Sequence, residues 1–185
     1  MSVRHAIKRL AHLFATLLTA PLWLAAALER ASGRGEALFL TGTHLVAWLP
    51  GPVGVYLRAA FYARTLDDCD PEVHVGFGSL FTHRGAGVGR NASMGAYCVI
   101  GHTRIGAGAM LGSRVSVPSG KRQHFDERGG VSTDTRFDTV TIGPRCWIGE
   151  GAIVMADVGE GSVISAGAVV VHPVPAHSLA GGNPA

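Results

Sequence analysis

Charge, aromatic rings and cysteine are all scarce in this chain of 185 residues, and each scarcity removes a class of explanation. Charged residues make up 16% and hydrophobic ones 47%, a balance that excludes a long disordered tail. Aromatics are only 7%, so the core has to be built from Val, Ile, Leu, Ala and Met. The formal net charge is +3, and Arg4, Lys8 and Arg9 supply part of it. No basic stripe with interleaved aromatics is present, which argues against nucleic acid as a partner. Cys69, Cys98 and Cys146 are odd in number, far apart and outside any CxxC pair, so they read as reduced, buried thiols. Glycine, by contrast, is abundant at 26 residues. Average usage is about 7%, and an excess without low complexity implies many corners or turns.

Residues 1–70 and 71–185 differ in character. Leu10 to Leu28 is almost free of charge, with His12 its one titratable group; Arg4, Lys8 and Arg9 precede it, and Glu29, Arg30 and Arg34 follow. A helix of that length reaches across a bilayer, although Pro21 would kink it. Three readings compete: a membrane anchor, a helix packed on the main domain, and a signal peptide cleaved near Ala25-Ala26-Ala27. A second apolar stretch, Ala37 to Leu49, is too short to span and stops at Pro50-Gly51-Pro52. Beyond it Val53, Tyr56, Leu57, Ala60 and Phe61 share one helical face, with Arg58 and Arg64 nearby, a pattern that suits a helix lying on a membrane surface. A re-entrant hairpin of both stretches keeps the rest of the chain on one side. The expectation is an α-helical, membrane-associated segment, held peripherally or monotopically at the cytoplasmic face of the inner membrane. Its removal is expected to leave residues 71–185 folded.

The second part repeats. Val88-Gly89, Met94-Gly95, Ile100-Gly101, Ile105-Gly106 and Leu111-Gly112 are followed by Val117, in steps of six, six, five, six and six. The pattern resumes at Ile142-Gly143 and Ile148-Gly149, then Val154, Val158-Gly159, Ile164-Ser165 and Val170. A period of six fits neither an amphipathic helix, near 3.6, nor a half-buried strand, near 2. Six residues per straight face with a small residue at each corner make a triangular coil, and stacked coils bury each other's aliphatic side chains as a solenoid. Glycine suits such a corner because it accepts backbone angles closed to other residues.

From about Val75 to Ala185 the chain resembles the hexapeptide-repeat acyltransferases. The resemblance rests on Ile142 to Gly151, on Val163 to Val170, and on the exit Pro173-Val174-Pro175-Ala176-His177-Ser178 with Gly181-Gly182-Asn183-Pro184-Ala185. It implies a left-handed parallel β-helix, acetyl-coenzyme A as acyl donor, and a homotrimer with active sites between subunits. It also implies donor contacts at Trp147, Gly149, Glu150, Ser165, Ala166 and Gly167. The closest pattern is that of sugar and polysaccharide O-acetyltransferases, which implies a saccharide or glycolipid acceptor at a membrane surface. Two departures leave the partner of the nucleotide phosphates open. The chain stops at Ala185, where relatives often add a basic residue, and has His172 where they often have lysine.

Residues 118–139 interrupt the coils with a polar run that includes Lys121, Arg122, Gln123, His124, Asp126, Glu127 and Arg128. Function collects on loops held by a rigid scaffold. Transfer to a hydroxyl needs a base, and His124 is the one histidine of this loop. The resemblance points to the same residue, 23 positions before Trp147. Asp126 and Asp134 are candidates to orient it. His74, His83 and His102 fall on early coils, where one could touch the acceptor. Two alternatives stand beside this reading. A γ-type carbonic anhydrase would need three histidines meeting at one zinc, and only His83 and His102, 19 residues apart, could stack. A non-catalytic membrane-bound scaffold would be recognised by an eroded loop. No metal is expected.

Overall fold

The computed structural model describes residues 3–33, 35–126 and 130–185, with side chains from Ala6 onward. Arg34 and, within the polar loop, Glu127 and Arg128 lie outside the described residues. Four helices come first: α1 (Val3–Leu18), α2 (Ala20–Ala31), α3 (Ala37–Ala47) and α4 (Gly51–Thr65). The chain then winds into stacked coils. The first carries β1 (Asp68–Cys69), β2 (His74–Val75) and β3 (Leu80–Phe81); the second β4 (Gly87–Val88), β5 (Ser93–Met94) and β6 (Val99–Ile100). The third holds β7 (Thr103–Ile105), β8 (Met110–Leu111) and β9 (Ser116–Val117); the fourth β10 (Val140–Ile142), β11 (Trp147–Ile148) and β12 (Ile153–Val154). The fifth adds β13 (Val163–Ile164) and β14 (Val169–Val170), and β15 (Leu179–Ala180) closes the stack.

Each strand pairs in parallel with its counterpart one coil away. Sheet I runs β1-β4-β7-β10 and is extended by bridges at Val158 and Val174; sheet II runs β2-β5-β8-β11-β13-β15, and sheet III runs β3-β6-β9-β12-β14. The expected solenoid is therefore present. The aliphatic residue of every repeat points inward and is buried, from Val88 to Val170. Val75 and Phe81 continue the same column into the first coil.

Within a coil, the steps from sheet I to II and from II to III are always six. All irregularity falls between sheets III and I, where Ile100 to Ile105 takes five residues and Val154 to Val158 four. The polar loop leaves at this same edge, between Val117 and Val140. A coil can shorten or bulge at one corner without shifting the ladders on its other faces, so this edge is where the fold accepts an insertion.

The corner glycines act differently from expectation. Gly149, directly after an inward Ile, matters because a Cβ there would stand 2.4 Å from Ala166 N of the next coil. The left-handed backbone comes two residues later, and non-glycine residues such as Asn91, Tyr97 and Arg145 also adopt it, with φ of 59°, 59° and 55°.

The helices cap the first coil. Phe39, Phe61 and Tyr62 are buried in one continuous core with Val75 and Phe81, and the Tyr62 and Phe81 rings meet edge-on at 4.8 Å. The Tyr62 hydroxyl bonds Thr43 Oγ1, and burial pushes its pKa up to about 12. One expectation is corrected by this packing: α4 is not a surface-lying helix, because Leu57 to Tyr62 are all buried between the other helices and the coil. The helices end at Thr65 and β1 (Asp68–Cys69) already pairs with β4, so the 70/71 boundary falls within the first coil, and the helices share one core with it. The long apolar stretch is broken as Pro21 requires. Its ring has no N–H to donate back to Leu17, and α1 and α2 meet at 60°. Among the described residues no single helix is long and apolar enough to cross a membrane.

Candidate active site

Two groups of expected site residues stand at different edges of the prism. Trp147 lies on β11 in sheet II, facing outward with 56% of its surface exposed. The chain turns at Glu150, and one coil later at Ser165, Ala166 and Gly167. Gly167 N donates to Glu150 O at 2.8 Å, which stacks the two corners. Glu150, Ser165, Ala166 and Gly167 are all exposed, and nothing lies within 4 Å of where a Gly167 Cβ would be. Gly149 is buried beneath Ala166 and serves this corner by letting the coils close. The result is a ledge of small residues along the edge between sheets II and III, with an indole at its side. A slender polar chain can approach the backbone there.

His124 belongs to the other group, at the edge between sheets III and I. The loop folds back on itself as a short hairpin: Phe125 bridges Val131, Ser132 N donates to His124 O at 2.8 Å, and Arg136 N to Gln123 O at 3.0 Å. Gly130 N donates to Asp126 Oδ1 at 2.7 Å, so Asp126 closes the hairpin turn. Asp134 N bonds Ser132 Oγ, and the Asp134 side chain is exposed. His124 is exposed on this hairpin.

The loop base is held at both ends of the stack. Lys121 Nζ donates to Val171 O of the fifth coil at 3.0 Å. Phe137 packs on histidines of the first two coils, 4.2 Å from the His83 ring and 6.0 Å from His102. A cleft of about 340 Å³ opens beside this base, bordered by Lys121, Arg122, Arg136, Asp138 and Asp157. The carboxylates and cations at its rim suit a polar, hydroxyl-bearing ligand.

The histidine pair was visible in its 19-residue spacing, and the two rings lie 5.2 Å apart, tilted by 38°. Glu36 and Phe137 had no such signal. Glu36 Oε2 is 3.0 Å from His83 Nδ1 and its other oxygen accepts from Arg84, so the start of α3 is tied to the first coil. Burial, and then the neighbouring His83, lower the pKa of His102 and favour its neutral form. Among the described residues, no group of three His, Cys, Asp or Glu side chains is placed to hold a metal.

No family model matches the chain. Serine acetyltransferase 4 of Arabidopsis thaliana is 32% identical over 120 residues, which is 64% of this chain and 28% of that protein. An acetyltransferase-named protein of Schizosaccharomyces pombe is 52% identical over 48 residues, 25% of this chain and 23% of its own. The chain thus spans less than a third of the length of these curated relatives. Two solved structures share the fold. A maltose O-acetyltransferase from Clostridium difficile 630 superposes with a TM-score of 0.67 at 21% identity, over 79% of this chain and 81% of that one. A hexapeptide-repeat containing acetyltransferase from Vibrio cholerae gives 0.60 at 19% identity, over 77% and 82%.

Proposed function

We propose that this chain, which belongs to the hexapeptide-repeat acyltransferase family, moves an acetyl or short acyl group from acyl-coenzyme A to a hydroxyl of a saccharide or glycolipid. The observation that carries the reading is the pairing of the small-residue ledge beside Trp147 with a histidine-bearing loop on the neighbouring edge. The ledge supplies backbone polar groups and an aromatic wall for the pantetheine arm. The relatives named above as acetyltransferases, one of them acting on maltose, support an acyl donor and a sugar acceptor.

The chemistry assigned to the loop is general base catalysis. An imidazole nitrogen of His124 takes the proton of the acceptor hydroxyl as its oxygen attacks the thioester carbonyl. Collapse of the tetrahedral intermediate breaks the C–S bond. The imidazolium then returns its proton to the departing thiolate, so the histidine ends as it began.

A trimer would unite the two edges. In sheet II the outward column runs from His74 and Ser93 to Met110, Trp147, Val163 and Leu179, and in sheet III it is Leu80, Val99, Ser116, Ile153 and Val169. The matching column of sheet I carries Asp68, Arg104 and Thr141. The apolar faces are therefore the ones to be covered, and the ledge of one subunit meets the loop of the next. Light scattering of the protein in mild detergent should give three copies; a stable, active monomer would refute the arrangement.

The deciding experiment is thiol release from acetyl-coenzyme A in the presence of sugars, sugar nucleotides and glycolipids. Acceptor-dependent release is expected for at least one of them. Trp147→Ala should raise the KM for the donor with a smaller change in kcat, because the ring contributes binding rather than proton transfer. An unaltered KM would remove Trp147 from the donor site.

A further inference from the structure

We propose that the outer face of α1, α2 and α3 is a lipid-embedding surface that seats the protein in one leaflet of an anionic bilayer. The three helices are inside out relative to those of a soluble domain. On α1 the polar side chains turn inward: Lys8 Nζ meets Glu72 at 3.1 Å, and the His12 ring packs edge-on against Tyr56 at 5.0 Å. Leu10, Leu13, Phe14 and Leu17 turn outward, each more than half exposed. On α2 it is Glu29 that is buried, accepting from the backbone N–H of Leu38 and Phe39 and from Arg84, while Leu24 and Leu28 face out. Burial alone would raise the Glu29 pKa, but those donors hold it below the usual carboxylate range. On α3 Thr43 is buried against Tyr62, while Leu38, Leu45 and the following Trp48 are exposed.

α2 packs on α3 and joins α1 at the bend, while α1 packs chiefly on α4. Single exposed apolar residues are ordinary, whereas a monomer's largest apolar patch is about 300–600 Å² and a larger one marks an interaction surface. The charge pattern selects the occupant. Among the described residues of α1–α3, the exposed side chains with full charge are Arg9 and Arg30, both basic and both engaged within the protein, Arg30 with Asp67 at 3.0 Å. Glu29 and Glu36 are turned toward the coil. A face of leucines edged by arginines, with a tryptophan at its rim, suits anionic headgroups above acyl chains.

The geometry also sets the depth. At 1.5 Å per residue α1 is about 24 Å long and α2 about 18 Å, so neither crosses a core of about 30 Å by itself, and each keeps its inward face packed on the protein, α1 on α4 and α2 on α3. The helices lie in the interface and the coils project from the same side. If the donor is acyl-coenzyme A, that side is the cytoplasmic one, and this is the one point that rests on the proposed reaction.

The test uses the full chain, diluted from mild detergent into vesicles of phosphatidylglycerol and phosphatidylcholine and then floated. Wild type should float with the vesicles, and less so in pure phosphatidylcholine or high salt. Phe14→Glu/Leu17→Glu should lower the bound fraction at least tenfold with the coil fold intact. In a second measurement, lipids with brominated chains should quench the wild type more than Trp48→Phe. Equal flotation of variant and wild type, or no Trp48-dependent quenching, overturns the proposal. So does a wild-type assembly that the double variant reduces in size without any vesicle binding, which would make a second copy the occupant. None of these readouts depends on acyl transfer, so failure here and failure of the acyltransferase reading are separately visible.

Discussion

His124→Ala should lower acceptor-dependent turnover by about 10²- to 10⁴-fold, the range a positioned general base contributes. Donor KM and trimer assembly should be unaffected, because the exposed His124 ring is part of neither the ledge at Trp147 nor the apolar columns. The acid limb of the pH–rate profile should disappear with the side chain, since no titrating base remains. His83 is the structural competitor. Glu36 orients it at 3.0 Å, and Phe137 of the loop covers it at 4.2 Å. A half-buried imidazole covered by Phe137 is poorly placed to meet an acceptor, whereas His124 stands exposed on the hairpin. His83→Ala should therefore act through the loop, weakening kcat modestly while leaving the acid limb in place. If the two variants exchange these signatures, so that the limb is lost with His83 and kept with His124, the base has been misassigned.

The coils were readable because an inward aliphatic every six residues is a demand of packing, and packing writes itself into side-chain type. Where the packing residue changes type the signal weakens. Phe81 replaces an aliphatic and is followed by Thr82, and seven residues separate it from Val88, so the first coil stood out less than those from Val88 onward. Of the ledge beside Trp147, Gly149 was legible as a demand of close coils, whereas Ser165, Ala166 and Gly167 were named through the family resemblance, and nothing lies within 4 Å of a Gly167 Cβ. The Glu36–His83–Phe137 contact was not legible. Its members lie on a helix, a coil corner and a loop, brought together by a tertiary fold that no local spacing encodes. Arg58 misled most. Beside apolar neighbours on a helical face it reads as the charged rim of a surface helix, because burial of an arginine without a carboxylate is rare enough to be discounted.

Arg58→Ala should detach the helical cap from the first coil. The residue is 0% exposed and two of its guanidinium nitrogens are spent on carbonyls, while Nη2 is buried without a hydrogen-bond partner among the described residues: Nε donates to Val75 O at 2.8 Å, and Nη1 to Leu49 O at 2.6 Å and Val46 O at 3.1 Å. Val46 ends the last turn of α3, where the helix dipole favours a cation, while Val75 belongs to β2. One side chain thus clamps the α3 terminus, the turn before α4 and the first coil. Burial lowers its pKa, yet arginine retains its charge far above neutrality, so the clamp persists at physiological pH. Truncation leaves these acceptors buried without donors, at about 1–3 kcal/mol each. Two or three such losses approach a large share of a total stability of about 5–15 kcal/mol. The damage should be local first. Amide exchange in α3 and α4 is expected to accelerate on the order of 100-fold, while the amides of β11 to β14, which are held by neighbouring coils, change little. Arg58→Lys should recover part of the protection, because an ammonium can reach some of these oxygens but cannot span the α3 terminus and Val75 together. Exchange in α3 and α4 that stays at wild-type rates in Arg58→Ala would show that the aromatic packing of Phe39, Phe61 and Tyr62 holds the cap without it.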